Sequence, residues 1–299
     1  MYDIIIIGGG PAGMSAAVYA ARFRMKALIL SNHIGGYMIE CPSIENYPGF
    51  TSINGMELSN NMKEQVQALG VETIEEEVVE IKKEGTFKVK TKLNNVFVGK
   101  SIVLALGTKR RKLEIKGEDE FLGKGVSYCA TCDGAFFKDK IVAVVGGANS
   151  AAVSALQLSE FAKEVNIIYR KDKLRADPYW IKKIEDKENI NIHYNLNITE
   201  IKGDPMVNLI LLDNDKEMQV DGVFIEIGSV PATTLAKSLN IKLSDDNCII
   251  VDQTQKTSVE GIYAAGDITT GSNKMRQIIT ACSEGAISAE SCYHYSRKE

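Results

Sequence analysis

The residues with most chemistry to offer are Cys129 and Cys132, in the run CATCD, and the Asp133 that follows them. Two cysteines at this spacing can close a short disulfide ring, and a thiolate freed from one sulfur resolves onto the other. An adjacent carboxyl, kept protonated by partial burial, can serve a sulfur as general acid or base. The same Asp133 also suits an Asx turn or a helix cap. The cysteine pair also suits a zinc half-site or two structural thiols. Zinc takes four ligands, yet there is no second C-x-x-C, and His33, His193 and His294 stand far apart. The residues therefore favour a redox dithiol. Cys41, Cys248, Cys282 and Cys292 are scattered singly, the usage of packed thiols in a reducing compartment.

A second chemistry lies at Gly8-Gly9-Gly10-Pro11-Ala12-Gly13. This G-x-G-x-x-G follows an isoleucine run and opens a helix of small residues. The first glycine permits the tight turn, Gly10 lets the backbone approach a pyrophosphate, and Gly13 lets helix and strand pack closely. The diphosphate would rest on unsatisfied N–H groups at the helix N-terminus. Where an acidic residue usually grips the ribose at the end of the second strand, this chain has Ser31, whose hydroxyl can still bond a sugar.

The same syntax recurs at Gly146-Gly147-Ala148-Asn149-Ser150-Ala151. Ala148 stands where the second glycine admits a pyrophosphate, and its methyl weakens that approach. Arg170, Lys171 and Arg175 follow the next strand, where a 2′-phosphate would be recognised, and Tyr169 beside them is placed to stack on an adenine. Lys171 supplies charge without bidentate geometry. The competing reading of this cluster is a solvated strand end.

These motifs need elements to hold them. Residues 2–30 read as a βαβ unit, 71–107 as a strand-rich stretch, and 140–171 as a second βαβ unit followed by the strand run GVFIEIG. A helical pattern from Met275 to Tyr295 closes the sequence. The fold class is thus α/β, with two Rossmann-like domains and the second inserted into the first. Crossings are expected near 112–116 and 240–244, giving a first domain of 1–112 with 244–299 and a second of 116–240. The 299 residues suit two domains. With 44% hydrophobic and 25% charged residues the chain reads as an ordinary globular protein. A net charge of -4 argues against a nucleic-acid binder. With no run of about 18 apolar residues and no signal peptide, a cytoplasmic protein with no membrane partner is expected.

The run GKGVSYCATCDG at 123–134 resembles the low-molecular-weight thioredoxin reductases. So do GGGPAG, IENYPGF at 44–50, YAAGD at 263–267 and MRQIITA at 275–281, and the resemblance covers essentially the whole chain. It implies a homodimeric flavoprotein with FAD in the split outer domain. Gly8, Gly10, Pro11, Ala12 and Gly13 would take the diphosphate. Gly35, Gly36 and Asn46 would line the flavin, and Asp267 would hold the ribityl chain or a nearby phosphate. Arg276, Gln277 and Ile278 would meet the isoalloxazine end. Cys129 and Cys132 would pass electrons to thioredoxin or a glutaredoxin-like protein while Asp133 protonates the departing thiolate. NADPH would use Gly146, Asn149, Ser150, Arg170, Lys171 and Arg175.

The pyridine-nucleotide motif is degraded here, as in the ferredoxin-dependent flavin thioredoxin reductases. Val153 and Ser154 replace acidic residues common in relatives, and GSVPAT replaces the usual GHxPNT. The expected donor is NADPH, with ferredoxin as the alternative. An oxygen-dependent dithiol oxidase of the same fold is a further alternative.

Overall fold

The computed structural model describes residues 1–41 and 43–297. The chain forms two compact units, one of Met1–Lys109 with Val230–Glu299 and one of Arg110–Ser229. The first part of the outer unit runs β1 (Tyr2–Gly9), α1 (Pro11–Arg22), β2 (Ala27–Ile34), α2 (Gly55–Ala68), β3 (Glu72–Ile74), β4 (Val78–Glu84), β5 (Thr86–Thr91) and β6 (Val96–Leu104). The strand β7 (Thr108–Arg110) leads out. The inserted unit holds β8 (Val126–Ser127), α3 (Ala130–Asp133), β9 (Ile141–Val145), α4 (Asn149–Ser159), β10 (Glu164–Tyr169) and α5 (Pro178–Glu185). It continues with β11 (Ile190–Tyr194), β12 (Ile198–Gly203), β13 (Val207–Leu212), β14 (Glu217–Gln219) and β15 (Gly222–Ile225). The chain returns through β16 (Ser229–Pro231), which pairs with β7. It then adds α6 (Thr234–Ser238), β17 (Ile262–Ala264) and α7 (Ile278–Ser296) to the outer unit.

The outer sheet has the order β3-β2-β1-β6-β5-β4, with β17 also pairing β6. Its β1 is parallel to both neighbours, Ile5 facing Leu28 on one side and Ile102 on the other. Such a strand is covered on both faces and reads as an unbroken apolar run. Ile4 and Ile6 enter the core shared with α1 and α7, while Ile5 and Ile7 enter the core on the other face. Full burial of each is worth about 1.5–3 kcal/mol.

The inserted unit repeats the plan. Its parallel sheet has the order β11-β10-β9-β15-β8, and the antiparallel sheet β12-β13-β14 stands apart. Val142 and Val144 face the helices, whereas Ala143 and Val145 join the core built with β12 and β13. In both units the strand that leads into the glycine turn, β1 or β9, lies between the next strand and a later one, so the order reverses beside each turn. Ligands of open α/β sheets bind at such switch points.

The crossings differ from those expected at 112–116 and 240–244. The return falls at 229/230, because Leu235, Ala236 and Ile241 are buried in the outer unit's core. The terminal helix also begins later than Met275. Gln277 caps it, with Thr280 reciprocating in a capping box. No helix among the described residues is long and apolar enough to cross a membrane.

α7 seats on α1 at Gly285, where a Cβ would lie 2.1 Å from the Ala12 carbonyl oxygen. The substitution Gly285→Ala therefore forces the helices apart, and should lower stability by about 1–3 kcal/mol, read by urea denaturation.

Candidate functional site

At the first glycine turn, a Cβ on Gly13 would lie 1.9 Å from the Gly8 carbonyl oxygen, so only glycine lets α1 start directly against β1. Gly10 serves a different purpose. It is extended (φ -80, ψ -173), and a Cβ there would meet nothing nearer than the Gly36 Cα at 3.9 Å. The space between Gly10 and Gly36 is open, with the N-terminal amides of α1 beside it. A diphosphate needs such a cradle, and the residues fit the FAD that the resemblance implies.

The other expected residues of the outer unit gather in pairs. The Asn46 amide donates to the Gln277 Oε1 at 2.9 Å. Asp267 and Arg276 line one recess with Glu284, and Ile278 packs on the core beneath α7. Burial lifts the Asp267 carboxyl above its ordinary pKa, Arg276 pulls it back, and Glu284 adds to the rise. Gly35 holds a positive φ of 106° at the loop before Gly36. Ser31 turns elsewhere: its hydroxyl donates to the His33 carbonyl at 2.7 Å, within its own chain turn.

Glu284 was not among the expected residues. It is 3% exposed, and its Oε2 accepts the Gly266 N–H at 2.8 Å and the Thr269 hydroxyl at 2.9 Å. The carboxylate thereby clamps the turn that carries Asp267. An acid among small residues on a buried helix (ACSEGAIS) is the signal for it.

The second glycine turn has the backbone of the first without its open space. Ala148 holds φ -106 and ψ -173, close to Gly10, so its methyl projects where the first turn leaves room for phosphate. Asn149 exchanges two hydrogen bonds with Asp177, at 2.8 and 2.7 Å. The Tyr169 ring, expected over an adenine, lies instead on Gly147 at 5% exposure. There its hydroxyl accepts from the Arg175 Nε at 3.1 Å. Packing in the turn wins over stacking on a ligand because Gly147 offers a flat backbone face. Arg170 and Lys171 are exposed after β10. These residues suit the 2′-phosphate end of NADPH and are tight at its diphosphate end. Ser150 and Ser154 both bond Glu226 from α4, the Ser154 hydroxyl at 2.7 Å. Burial raises the pKa of that carboxyl.

The cysteines form the disulfide Cys129–Cys132, Cα to Cα 5.3 Å, across the single helical turn α3. The Cys129 Sγ accepts the Cys132 N–H at 3.1 Å, so the sulfur caps its own turn. Cys132 is exposed and Cys129 half-buried. Asp133 is half-buried at the end of α3. Its Oδ2 accepts the Ser127 hydroxyl at 2.5 Å, so the carboxylate faces back over the strand end rather than capping a helix. Just before the pair, the Tyr128 hydroxyl donates to Glu118, whose two oxygens also take the Leu113 and Glu114 amides. Among the described residues no group of three His, Cys, Asp or Glu side chains could hold a metal.

Two dinucleotide-type units and a C-x-x-C disulfide define a class, the flavoprotein disulfide oxidoreductases. Residues 2–285 match the family model for pyridine nucleotide-disulphide oxidoreductases. The thioredoxin reductase of Bacillus subtilis is 40% identical over 99% of this chain and 95% of its own length. That of Treponema pallidum is also 40% identical, over 98% and 97%. The crystal structure of Lactococcus lactis thioredoxin reductase superposes with a TM-score of 0.96 at 40% identity, covering 100% of both chains. For T. acidophilum thioredoxin reductase the values are 0.92 and 38%, over 98% of both. The chain belongs to the pyridine nucleotide-disulphide oxidoreductase family, among its thioredoxin reductases, and is an oxidoreductase acting on a sulfur group.

Denatured oxidised protein should titrate four thiols, those of Cys41, Cys248, Cys282 and Cys292, and all six after reduction. In the native state Cys292 should resist alkylation longest, since full burial pushes its thiol up to about 12. Gly10→Ala should leave the melting temperature unchanged and weaken FAD binding about tenfold or more, about 1.4 kcal/mol, measured by flavin fluorescence on reconstitution.

Proposed function

We propose that the chain binds FAD in its outer unit and reduces the Cys129–Cys132 disulfide, and that the resulting dithiol reduces thioredoxin or a glutaredoxin-like protein. The observation that carries this reading is the disulfide itself, strung across one helical turn with the Asp133 carboxylate held at its end. FAD, when bound, supplies a two-electron carrier. Gly8, Gly10, Pro11, Ala12 and Gly13 bind its diphosphate. Gly35, Gly36 and Asn46 line the flavin, Asp267 takes the ribityl chain or a nearby phosphate, and Arg276, Gln277 and Ile278 meet the ring. A thiolate of the reduced pair attacks the partner disulfide, and Asp133 gives its proton to the departing sulfur. The second thiol then returns a proton to Asp133 and attacks the mixed disulfide, which breaks as the Cys129–Cys132 bond closes and the partner's second sulfur leaves with the electron pair as a thiolate. Cys129→Ser and Cys132→Ser should each abolish thioredoxin reduction, and Asp133→Asn should slow it by about 100-fold or more, assayed as insulin disulfide reduction.

NADPH is the donor that the family implies, and the exposed Arg170 and Lys171, with Arg175 nearby, support it. A second reading, reduced ferredoxin as donor, is favoured by the Ala148 methyl, because such a carrier requires no phosphate cradle. Anaerobic titration separates them. With NADPH as donor, the flavin of wild type bleaches and Ala148→Gly lowers the concentration required. With ferredoxin, neither protein bleaches with NADPH or NADH and both bleach with reduced ferredoxin. Aerobic peroxide formed from a dithiol without either donor would mark an oxidase instead. The resemblance also supports a homodimer, which sedimentation equilibrium tests.

A further inference from the structure

Ser127 ends β8, a strand whose register is fixed by Val126 facing Val223 and Ser127 facing Phe224. The side chain is 4% exposed. A hydroxyl has one proton to give and two lone pairs to accept with. Here the proton goes to the Asp133 Oδ2 at 2.5 Å, and a lone pair takes the Cys129 N–H at 3.0 Å. The Cys129 carbonyl, at 3.4 Å, is the longer alternative for the same proton. A short hydrogen bond to a carboxylate is charge-assisted and about twice as strong as a neutral one. The redox turn has little stiffness of its own, since one helical turn is a poor nucleus. Its far side is held by the Thr131 hydroxyl on the Gln157 Oε1 of α4, at 3.0 Å. Its near side is held by Ser127.

We propose that Ser127 is the positioning residue for proton transfer at the dithiol. The inference rests on Asp133 acting as the acid. By occupying Oδ2 and anchoring the Cys129 backbone together, Ser127 fixes the carboxyl relative to the sulfurs and leaves Oδ1 as the oxygen that serves them. When a dithiol thiolate attacks the partner disulfide, a new S–S bond forms and the partner's S–S bond breaks. The leaving sulfur takes the pair of electrons and the Asp133 proton, and Ser127 keeps its own. Its donated hydrogen bond is strongest to the carboxylate that remains, so it favours the release. Of the other titratable groups near this strand end, Tyr128 donates to Glu118 at 2.5 Å, and Asp119 and Arg110 also act on the Tyr128 hydroxyl.

The test uses the FAD-loaded full chain, reduced anaerobically with dithionite and mixed with oxidised thioredoxin in single-turnover experiments across pH. Ser127→Ala should slow the transfer about tenfold, equivalent to about 1.4 kcal/mol. It should also distort the pH limb that Asp133→Asn abolishes, because the carboxyl is no longer held in place beside the Cys129 backbone. Ser127→Thr, which keeps the hydroxyl, should restore both. Should the alanine variant fail to fold, Ser127→Gly serves as the second donor-less variant. A uniform slowing with the limb in place, or no slowing at all while Asp133→Asn is impaired, overturns the proposal. Wild-type behaviour of Asp133→Asn would instead remove the acid itself, and the positioning role with it.

Discussion

How closely α1 can approach β1 sets the geometry of the outer unit. With no side chain at Gly13, the helix starts against the Gly8 carbonyl, and its first amides emerge at the carboxyl end of the central strand. With none at Gly285, α7 lies directly on α1. That second contact brings Glu284 under the turn at Gly266 and Asp267, and the capped start of α7 carries Arg276 and Gln277 beside it. Two missing methyl groups thus bring together residues drawn from both ends of the sequence.

The inserted unit uses the same scaffold for a different end. Its glycine turn keeps the backbone angles of the first, although Ala148 replaces the glycine that leaves room for phosphate. The conformation survives because an extended backbone at that position suits any residue. What changes is the space in front of it. The unit's clearest chemistry lies at the end of β8, where a buried hydroxyl ties the strand to a half-buried carboxylate and a disulfide.

Much of this was legible in the sequence. Isoleucine and valine runs ending in glycines, then small-residue helices, mark both βαβ units, and CATCD marks the reactive turn. The return crossing was not legible, since the Gly228 and Pro231 that flank it read equally well as a turn within one unit, and the apolar residues Leu235, Ala236 and Ile241 do not reveal which core they join. Tyr169 was misjudged because its neighbour Gly147 is distant in sequence and close only in the fold. Glu226 and Glu284 are visible as acids among apolar or small residues, whereas Glu118 is hidden in the charged run KGEDE. Their partners can be remote, Ser154 lying 72 positions from Glu226, so only the folded chain reveals what each one holds.

The clamp formed by Glu284 also makes the two ends of the outer unit interdependent. The opening strand, turn and helix form on contacts close in sequence, whereas the turn at Gly266 and Asp267 gains its support only once α7 has docked on α1. A break in the chain between that turn and Glu284 would therefore spare the opening βαβ unit and loosen the Asp267 turn, a local defect with a distant cause.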